Sequence, residues 1–289
     1  MKIRDILRAG KGVAFEFFPP KSEATEASLF EHLKLLEEID PAYVSVTYGA
    51  GGSSRENTRR IVRRIAEEEK LTVMAHLTCV GHTRAEISGI VADYAECGIE
   101  NIMALRGDTP KGTDIDPSKG ELPHASDLIR LIRAEHGDKF SIGGAVFPEK
   151  HLESPDLEHD IRALEEKVDA GIEFAVSQMF FVNKYFYTLL ERAEKAGIKI
   201  PIVPGIMPFT SYTQIGKIAE LSGAEIPKDL VEKLTAAESD EEIYKIGVDF
   251  SIRQCMDLID HGFEFLHFFT LNKSNATLDI YKAIRSRLE

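Results

Sequence analysis

Cysteine is scarce in this 289-residue sequence: Cys79, Cys97 and Cys255 are odd in number and widely spaced, which suits reduced thiols and excludes a disulfide framework. Long apolar runs are missing too. None approaches the roughly 18 residues that span a bilayer, and the opening MKIRDILRAGKG lacks the apolar core of about 7 to 15 residues found in a signal peptide. Both absences point to a cytoplasmic protein with no membrane segment. Positive charge falls short of negative, with 35 Lys and Arg against 48 Asp and Glu, a net charge of −13. A nucleic-acid surface is thereby excluded, because phosphate backbones need a concentrated positive field. An anionic small molecule would instead be met by individual Arg and Lys side chains and by helix N-termini. The nucleotide fingerprints GxGxxG and GxxxxGK[ST] are absent, as are linkers and low-complexity tracts.

What is present is a core-forming composition, 43% hydrophobic and 29% charged, arranged as short apolar runs alternating with amphipathic stretches. The runs predict eight strands: Val13–Phe17, Tyr43–Thr47, Thr72–Leu77, Asn101–Leu105, Ser141–Val146, Phe174–Ser177, Ile200–Val203 and Phe265–Phe269. Helix starts are marked by the capping boxes Ser53-x-x-Glu56 and Thr83-x-x-Glu86 and by Ser154-Pro155, a cap before a first-turn proline. Ile87, Ile90, Val91 and Tyr94 share one helical face, as do Ile161, Leu164 and Val168. A weak repeat, Cys97-Gly98-Ile99-Glu100, Ala170-Gly171-Ile172-Glu173, Ala196-Gly197-Ile198-Lys199 and His261-Gly262-Phe263-Glu264, places a left-handed glycine between a helix and the next strand. Repeated βα units with near-continuous apolar strands predict an α/β fold, an eight-stranded βα (TIM) barrel. The chain 1–289 reads as one domain, with an N-terminal helix near Ile3–Arg8 and an extra helix between Pro227 and Asp240, before the last strand.

Active sites of such barrels lie at the carboxyl ends of the strands. Those ends present Glu16, Thr47-Tyr48, His76 and Thr78, Arg106-Gly107-Asp108, Phe147, Gln178, Gly205 and Met207, and Thr270 and Asn272. Glu16, in FEFFPPK (Phe15–Lys21), is expected in a poorly solvated pocket that raises its pKa and makes it a general acid; the alternative is a structural glutamate paired with an arginine. Arg106 in ALRGDTP can meet phosphate with a planar fork, or the stretch is a surface turn with a local salt bridge. TYGAGGSS (Thr47–Ser54) either cradles phosphate at a helix N-terminus or is a tight βα loop. His76 and Cys79 are too few for a zinc site, so no metal is expected. Tyr212 is a lid aromatic over a flat ligand or packs under its loop.

Taken in order, FEFFPPK, VSVTYGAGGSS, AHLTC, ALRGD, FPEKH, KVDAGIEFAVSQMFF, PGIMP and HFFTLNKS resemble the methylenetetrahydrofolate reductase family along almost the whole chain. The resemblance implies an oxidoreductase acting on CH–NH groups, with non-covalently bound FAD. It takes hydride from NADH or NADPH by a ping-pong route and reduces 5,10-methylenetetrahydrofolate to 5-methyltetrahydrofolate, the methyl donor for methionine synthesis. It implies that Glu16 is the catalytic acid that opens the folate's imidazolidine ring to the 5-iminium ion. Asp108 would tune the flavin, assist the cationic intermediate and hydrogen-bond the pterin. Thr47, Tyr48, Ala50, His76, Arg106, Gly107, Asp108, Ala125, Phe147, His151, Asp160 and Lys167 fall on flavin-binding positions; Gln178, Tyr212 and Lys273 join Glu16 and Asp108 as folate-binding positions, with Lys273 meeting the glutamate tail. A homo-oligomer is implied. The sequence ends soon after the barrel, so no counterpart of the eukaryotic regulatory domain and no inhibition by S-adenosylmethionine are expected. Rival readings are a proline-dehydrogenase-like flavin barrel and a flavoprotein subunit that receives electrons from a partner protein.

Overall fold

The computed structural model describes residues 1–48, 55–109, 112 and 116–288. Ala50 and the cap at Ser53 lie outside the described residues. Strand segments β1 (Gly12–Phe17), β2 (Tyr43–Val46), β3 (Val73–Thr78), β4 (Asn101–Leu105), β5 (Ser141–Val146), β6 (Phe174–Ser177), β7 (Ile202–Val203), β8 (Gly205–Ile206) and β9 (Phe265–Phe269) form one sheet in the order β7-β6-β5-β4-β3-β2-β1-β9-β8. Every recorded pairing is parallel. The sheet has nine segments but eight barrel positions, because β7 and β8 are two halves of one strand split at Pro204.

That split corrects the single run predicted over Ile200–Val203, and its cause is local. Pro204 has no N–H to give a ladder, and its carbonyl accepts from His267 N at 3.1 Å. Gly205 follows where a Cβ would stand 2.3 Å from the Ser177 carbonyl and 2.6 Å from the Phe269 ring. The first half therefore pairs with β6 and the second with β9, which closes the barrel.

Strand alternation sorts the core into two layers. Val13, Phe15, Phe17, Val44, Val46, Ala75, Leu77, Leu266 and Phe268 pack outward beneath the helices. Ala14, Tyr43, Met74, Met103, Phe174, Val176, Val203 and Phe265 fill the interior, together with Ile3 and Leu7 of the N-terminal helix α1 (Ile3–Ala9). Around the barrel run α2 (Glu23–Glu37), α3 (Arg55–Arg64), α4 (Arg84–Glu96), α5 (Ala125–His136), α6 (Leu157–Ala170), α7 (Asn183–Lys195), α8 (Tyr212–Ser222), α9 (Lys228–Ala236), α10 (Asp240–Asp260) and α11 (Asn275–Leu288). The predicted extra helix is α9; Leu230 and Leu234 join Phe181, Phe209 and Ile215 in a separate apolar cluster.

Local signals held where chemistry was local. The Thr83 hydroxyl accepts from Glu86 N at 3.2 Å while the Glu86 carboxylate accepts from Thr83 N at 2.8 Å. All four repeat glycines have positive φ, 73° at Gly98, 112° at Gly171, 78° at Gly197 and 90° at Gly262. Ser154 is not the cap expected: α6 starts at Leu157 behind Asp156, whose carboxylate accepts from His159 N at 2.7 Å. An ionised oxygen is the stronger acceptor at a helix N-terminus. Among the described residues no helix is long and apolar enough to cross a membrane.

Candidate active site

Glu16 belongs to the inward-facing set of β1, two residues after Ala14, so Phe15 and Phe17 brace it from the outer layer instead of lining its pocket. The register sets Glu16 opposite Ser45 on β2 and Phe269 on β9. Its Oε2 lies 3.4 Å from His76 Nε2 of β3 and 3.4 Å from His267 Nε2 of β9. The carboxylate is only 7% exposed, His76 7% and His267 0%. Behind His267, the Tyr43 hydroxyl is 3.2 Å from Nδ1. A buried carboxyl, two imidazoles and a phenol therefore form one contiguous polar group inside an apolar barrel.

This group overturns the expected rise in the Glu16 pKa. Burial does push the carboxyl up and is the largest single influence, but the His76 and His267 imidazoles and the Ser45 hydroxyl together outweigh it, so the net shift is downward. Burial pushes the His76 pKa down, against the pull of Glu16. The sequence exposed the desolvation and hid the neighbours that oppose it.

The strand end carrying Glu16 is held from β9. The Thr270 hydroxyl donates to the Glu16 carbonyl at 2.6 Å. The Asn272 amide brackets the next peptide, accepting from Phe18 N at 2.7 Å and donating to Phe18 O at 3.0 Å. Leu271 and Asn272 both adopt left-handed backbone, φ 51° and 58°, a sparsely populated conformation for non-glycine residues that must be held by surrounding contacts.

The remaining predicted residues divide into those gathered at the mouth and those that are not. Thr47 N donates to Phe17 O at 2.9 Å, and Thr58 Oγ1 donates to the Thr47 carbonyl at 3.1 Å. The Tyr48 hydroxyl lies 3.3 Å from His82 Nε2. Arg106 Nη1 is 2.7 Å from Glu153 Oε2, a pair that reaches to the next βα loop instead of a salt bridge local to the turn. Gly107 has φ 86°, and a Cβ there would meet Thr78 and Val80 side-chain atoms at 2.8 Å. Cys79 Sγ reaches both the Arg106 and His124 carbonyls at 3.7 Å, drawing the start of α5, with Ala125 as its first residue, against this loop. Phe147 and His151 stack edge to face at 4.7 Å, and Asp160 accepts from His151 N at 2.8 Å. Lys167 donates to the Ala145 carbonyl, and burial pulls its pKa down to about 8, against Asp160 and Glu166.

Gln178 follows β6 directly; its N donates to Val146 O at 2.7 Å, and its side-chain carbonyl accepts from Met179 N at 2.9 Å. Asp108 is exposed on the rim, Tyr212 is 47% exposed at the first residue of α8, and Lys273 is exposed beyond β9. None of these three has a side-chain hydrogen bond or ion pair among the described residues, and the structure does not bring Asp108 into contact with Glu16. Ala50 lies outside the described residues.

His267, Tyr43 and Ser45 were missed by the sequence reading. The signal was available as parity: once Glu16 is taken as inward-facing, polar residues at alternate positions of the neighbouring apolar strands fall on the same face.

The residues present fit a large anionic flavin nucleotide. Ser126 Oγ, in the first turn of α5, is buried without a hydrogen-bond partner among the described residues. Buried polar atoms are rarely left orphaned unless a ligand or water completes them. Arg106, Lys167 and the α5 N-terminus are donors of the kind phosphates require, and the glycine at 107 lets backbone approach closely. Among the described residues no group of three or more His, Cys, Asp or Glu could hold a metal ion.

The family model for methylenetetrahydrofolate reductase matches residues 2–285. The chain is 36% identical over 265 residues to methylenetetrahydrofolate reductase 1 of Schizosaccharomyces pombe, covering 91% of this chain but 44% of that protein. To the 5,10-methylenetetrahydrofolate reductase of Escherichia coli K12 it is 35% identical over 269 residues, covering 93% of this chain and 88% of that one. The chain thus spans less than half of the fungal relative and most of the bacterial one. A Clostridium thermocellum protein described as binding two copies of 5-methyl-5,6,7,8-tetrahydrofolic acid shares the fold, with a TM-score of 0.63, 15% identity and 99% coverage of both chains.

Proposed function

The chain belongs to the methylenetetrahydrofolate reductase family, and from that premise we propose that it reduces 5,10-methylenetetrahydrofolate to 5-methyltetrahydrofolate, with FAD as cofactor and NADH or NADPH as donor. The observation that carries the reading is Glu16, a buried carboxyl inside the barrel with an imidazole on either side. Bound FAD would supply the hydride chemistry, accepting hydride from the nicotinamide and passing it to the folate.

The chain's own residues supply binding and proton control. Arg106, Lys167 and the first turn of α5 would hold the phosphates, with His76 and Tyr48 near the ring system and Asp108, Gln178, Tyr212 and Lys273 round the folate. In the open site Glu16 favours the carboxylate. A flat pterin over the mouth excludes water and strengthens the desolvation that already opposes ionisation. Glu16 is thereby driven to take up a proton from solvent as the substrate arrives. It then gives that proton to the folate nitrogen whose departure opens the five-membered ring, leaving the 5-iminium carbon ready for hydride. One face used in turn by nicotinamide and folate makes the cycle ping-pong, for which parallel lines are expected in double-reciprocal plots; converging lines contradict it.

The direct test is to reconstitute the protein with FAD, photoreduce it without oxygen and add 5,10-methylenetetrahydrofolate. Return of the oxidised flavin absorbance supports the reading. Failure to bind flavin, or a reduced protein indifferent to the folate, rejects it.

A further inference from the structure

Tyr43 and His267 are fully buried and lie on strands flanking Glu16; the proton chemistry above uses His267 only as a neighbour of the carboxyl and gives Tyr43 no role. Their rings stack at 5.8 Å with 30° between planes, and the hydroxyl meets Nδ1 at 3.2 Å. We propose that Tyr43, acting through His267, is a positioning residue for Glu16: its O–H fixes the imidazole tautomer that presents Nε2–H to the carboxylate. The inference rests on the reading of Glu16 as the acid.

A neutral imidazole has one N–H and one bare nitrogen, and its tautomer is set by what each nitrogen meets. If Nδ1 carried the hydrogen and donated to Tyr43, the phenol's own hydrogen would need another buried acceptor, and none is recorded for it among the described residues. Leaving a buried donor unmet is costly. If instead Tyr43 donates to Nδ1, Nε2 carries the hydrogen and points it at Glu16 Oε2, so every group is used. Burial, and after it the charge of Glu16, push the Tyr43 pKa up, which keeps the phenol a donor at any physiological pH.

The consequence is directional. The recorded imidazole contacts of Glu16, from His76 on β3 and His267 on β9, are both to Oε2, while Ser45 faces it from β2 and Thr270 holds its backbone carbonyl. The two imidazole contacts thus favour proton uptake and delivery at Oε1, with the Ser45 hydroxyl also favouring the ionised carboxyl. Without the Tyr43 hydroxyl, His267 can turn over to the Nδ1–H form and accept at Nε2 from a protonated Glu16. That stabilises the acid form prematurely.

The test combines spectroscopy with a mutant cycle. Nitrogen-15 spectra of histidine-labelled wild-type protein are expected to show His267 protonated at Nε2 and bare at Nδ1, and Tyr43→Phe is expected to erode that preference. In Tyr43→Phe the pH limb of folate-dependent flavin reoxidation moves up by about half a unit to one unit. His267→Gln supplies an amide N–H to Glu16 that needs no tautomer, and in that background Tyr43→Phe adds no further shift. A wild-type His267 carrying hydrogen on Nδ1 overturns the proposal even if no variant folds. An unmoved limb in Tyr43→Phe, or an equal shift in the His267→Gln background, overturns it as well. If Glu16→Gln keeps the wild-type folate reaction and pH limb, the acid assignment fails instead, and the tautomer result separates the two failures.

Discussion

At the scale of single residues, the chemistry of Glu16 depends on which neighbours share its side of the sheet. Phe15 and Phe17 make the site dry from behind, and the two imidazoles make it polar from the side. Replacing Glu16 with Gln keeps size and removes the proton. The folate half of the reaction is therefore expected to slow by roughly 10²–10⁴-fold, while reduction of the flavin by NAD(P)H continues. Stopped-flow measurement of the two halves checks this, and equal loss in both makes Glu16 structural. Lys167 offers a second expectation, with a definite sign. Its ammonium is charged below about pH 8 and neutral above, and only the charged form attracts an anionic nucleotide. FAD affinity is thus expected to be flat on the acid side of pH 8 and to weaken as pH rises past it, with Lys167→Met binding weakly and without that dependence. Fluorescence titration of FAD on both sides of pH 8 decides it; an unchanged slope in the variant removes Lys167 from the phosphate site.

Elements show what a sequence can and cannot reveal. Apolar runs and capping patterns are short-range, so strands such as Asn101–Leu105, Ser141–Val146 and Phe174–Ser177 and the Thr83 cap were legible residue for residue. The break inside the seventh barrel strand was not, because it is demanded by two different partners, β6 on one side and β9 on the other. The Glu16 cluster was half legible for the same reason: the carboxyl was visible in FEFFPPK, whereas its imidazoles come from strands 60 and 251 residues away in sequence, and only cross-strand register brings them together. The seam yields its own prediction. In Gly205→Ala the added methyl would sit 2.3 Å from a backbone oxygen, so backbone must move where the barrel closes. Overpacking of this kind costs about 1–3 kcal/mol, expected as a lower midpoint in thermal or urea unfolding together with loosened hydrogen-exchange protection in β8 and β9. Wild-type stability in this variant would mean that the seam adjusts freely.

For the whole molecule, the relevant quantity is charge. A protein of net charge −13 repels a folate whose glutamate tail is itself anionic, and the repulsion acts over the Debye length, about 10 Å at 0.1 M salt. Against this stands Lys273, exposed beyond β9 with no ion-pair partner among the described residues, a local attraction that salt also weakens. The two effects respond to salt with opposite sign, so removing one reveals the other. With Lys273→Gln only the long-range repulsion remains, and KM for the folate is expected to fall as salt is raised from low ionic strength. The wild-type protein, which retains the local pair, should show a weaker fall or a rise. The contrast should widen with each additional glutamate on the tail, because every added carboxylate strengthens both the field's repulsion and the contact with the lysine. A Lys273→Gln protein whose salt dependence parallels the wild type for every tail length would place the tail away from Lys273 and leave the entry of anionic ligands to the rest of the barrel mouth.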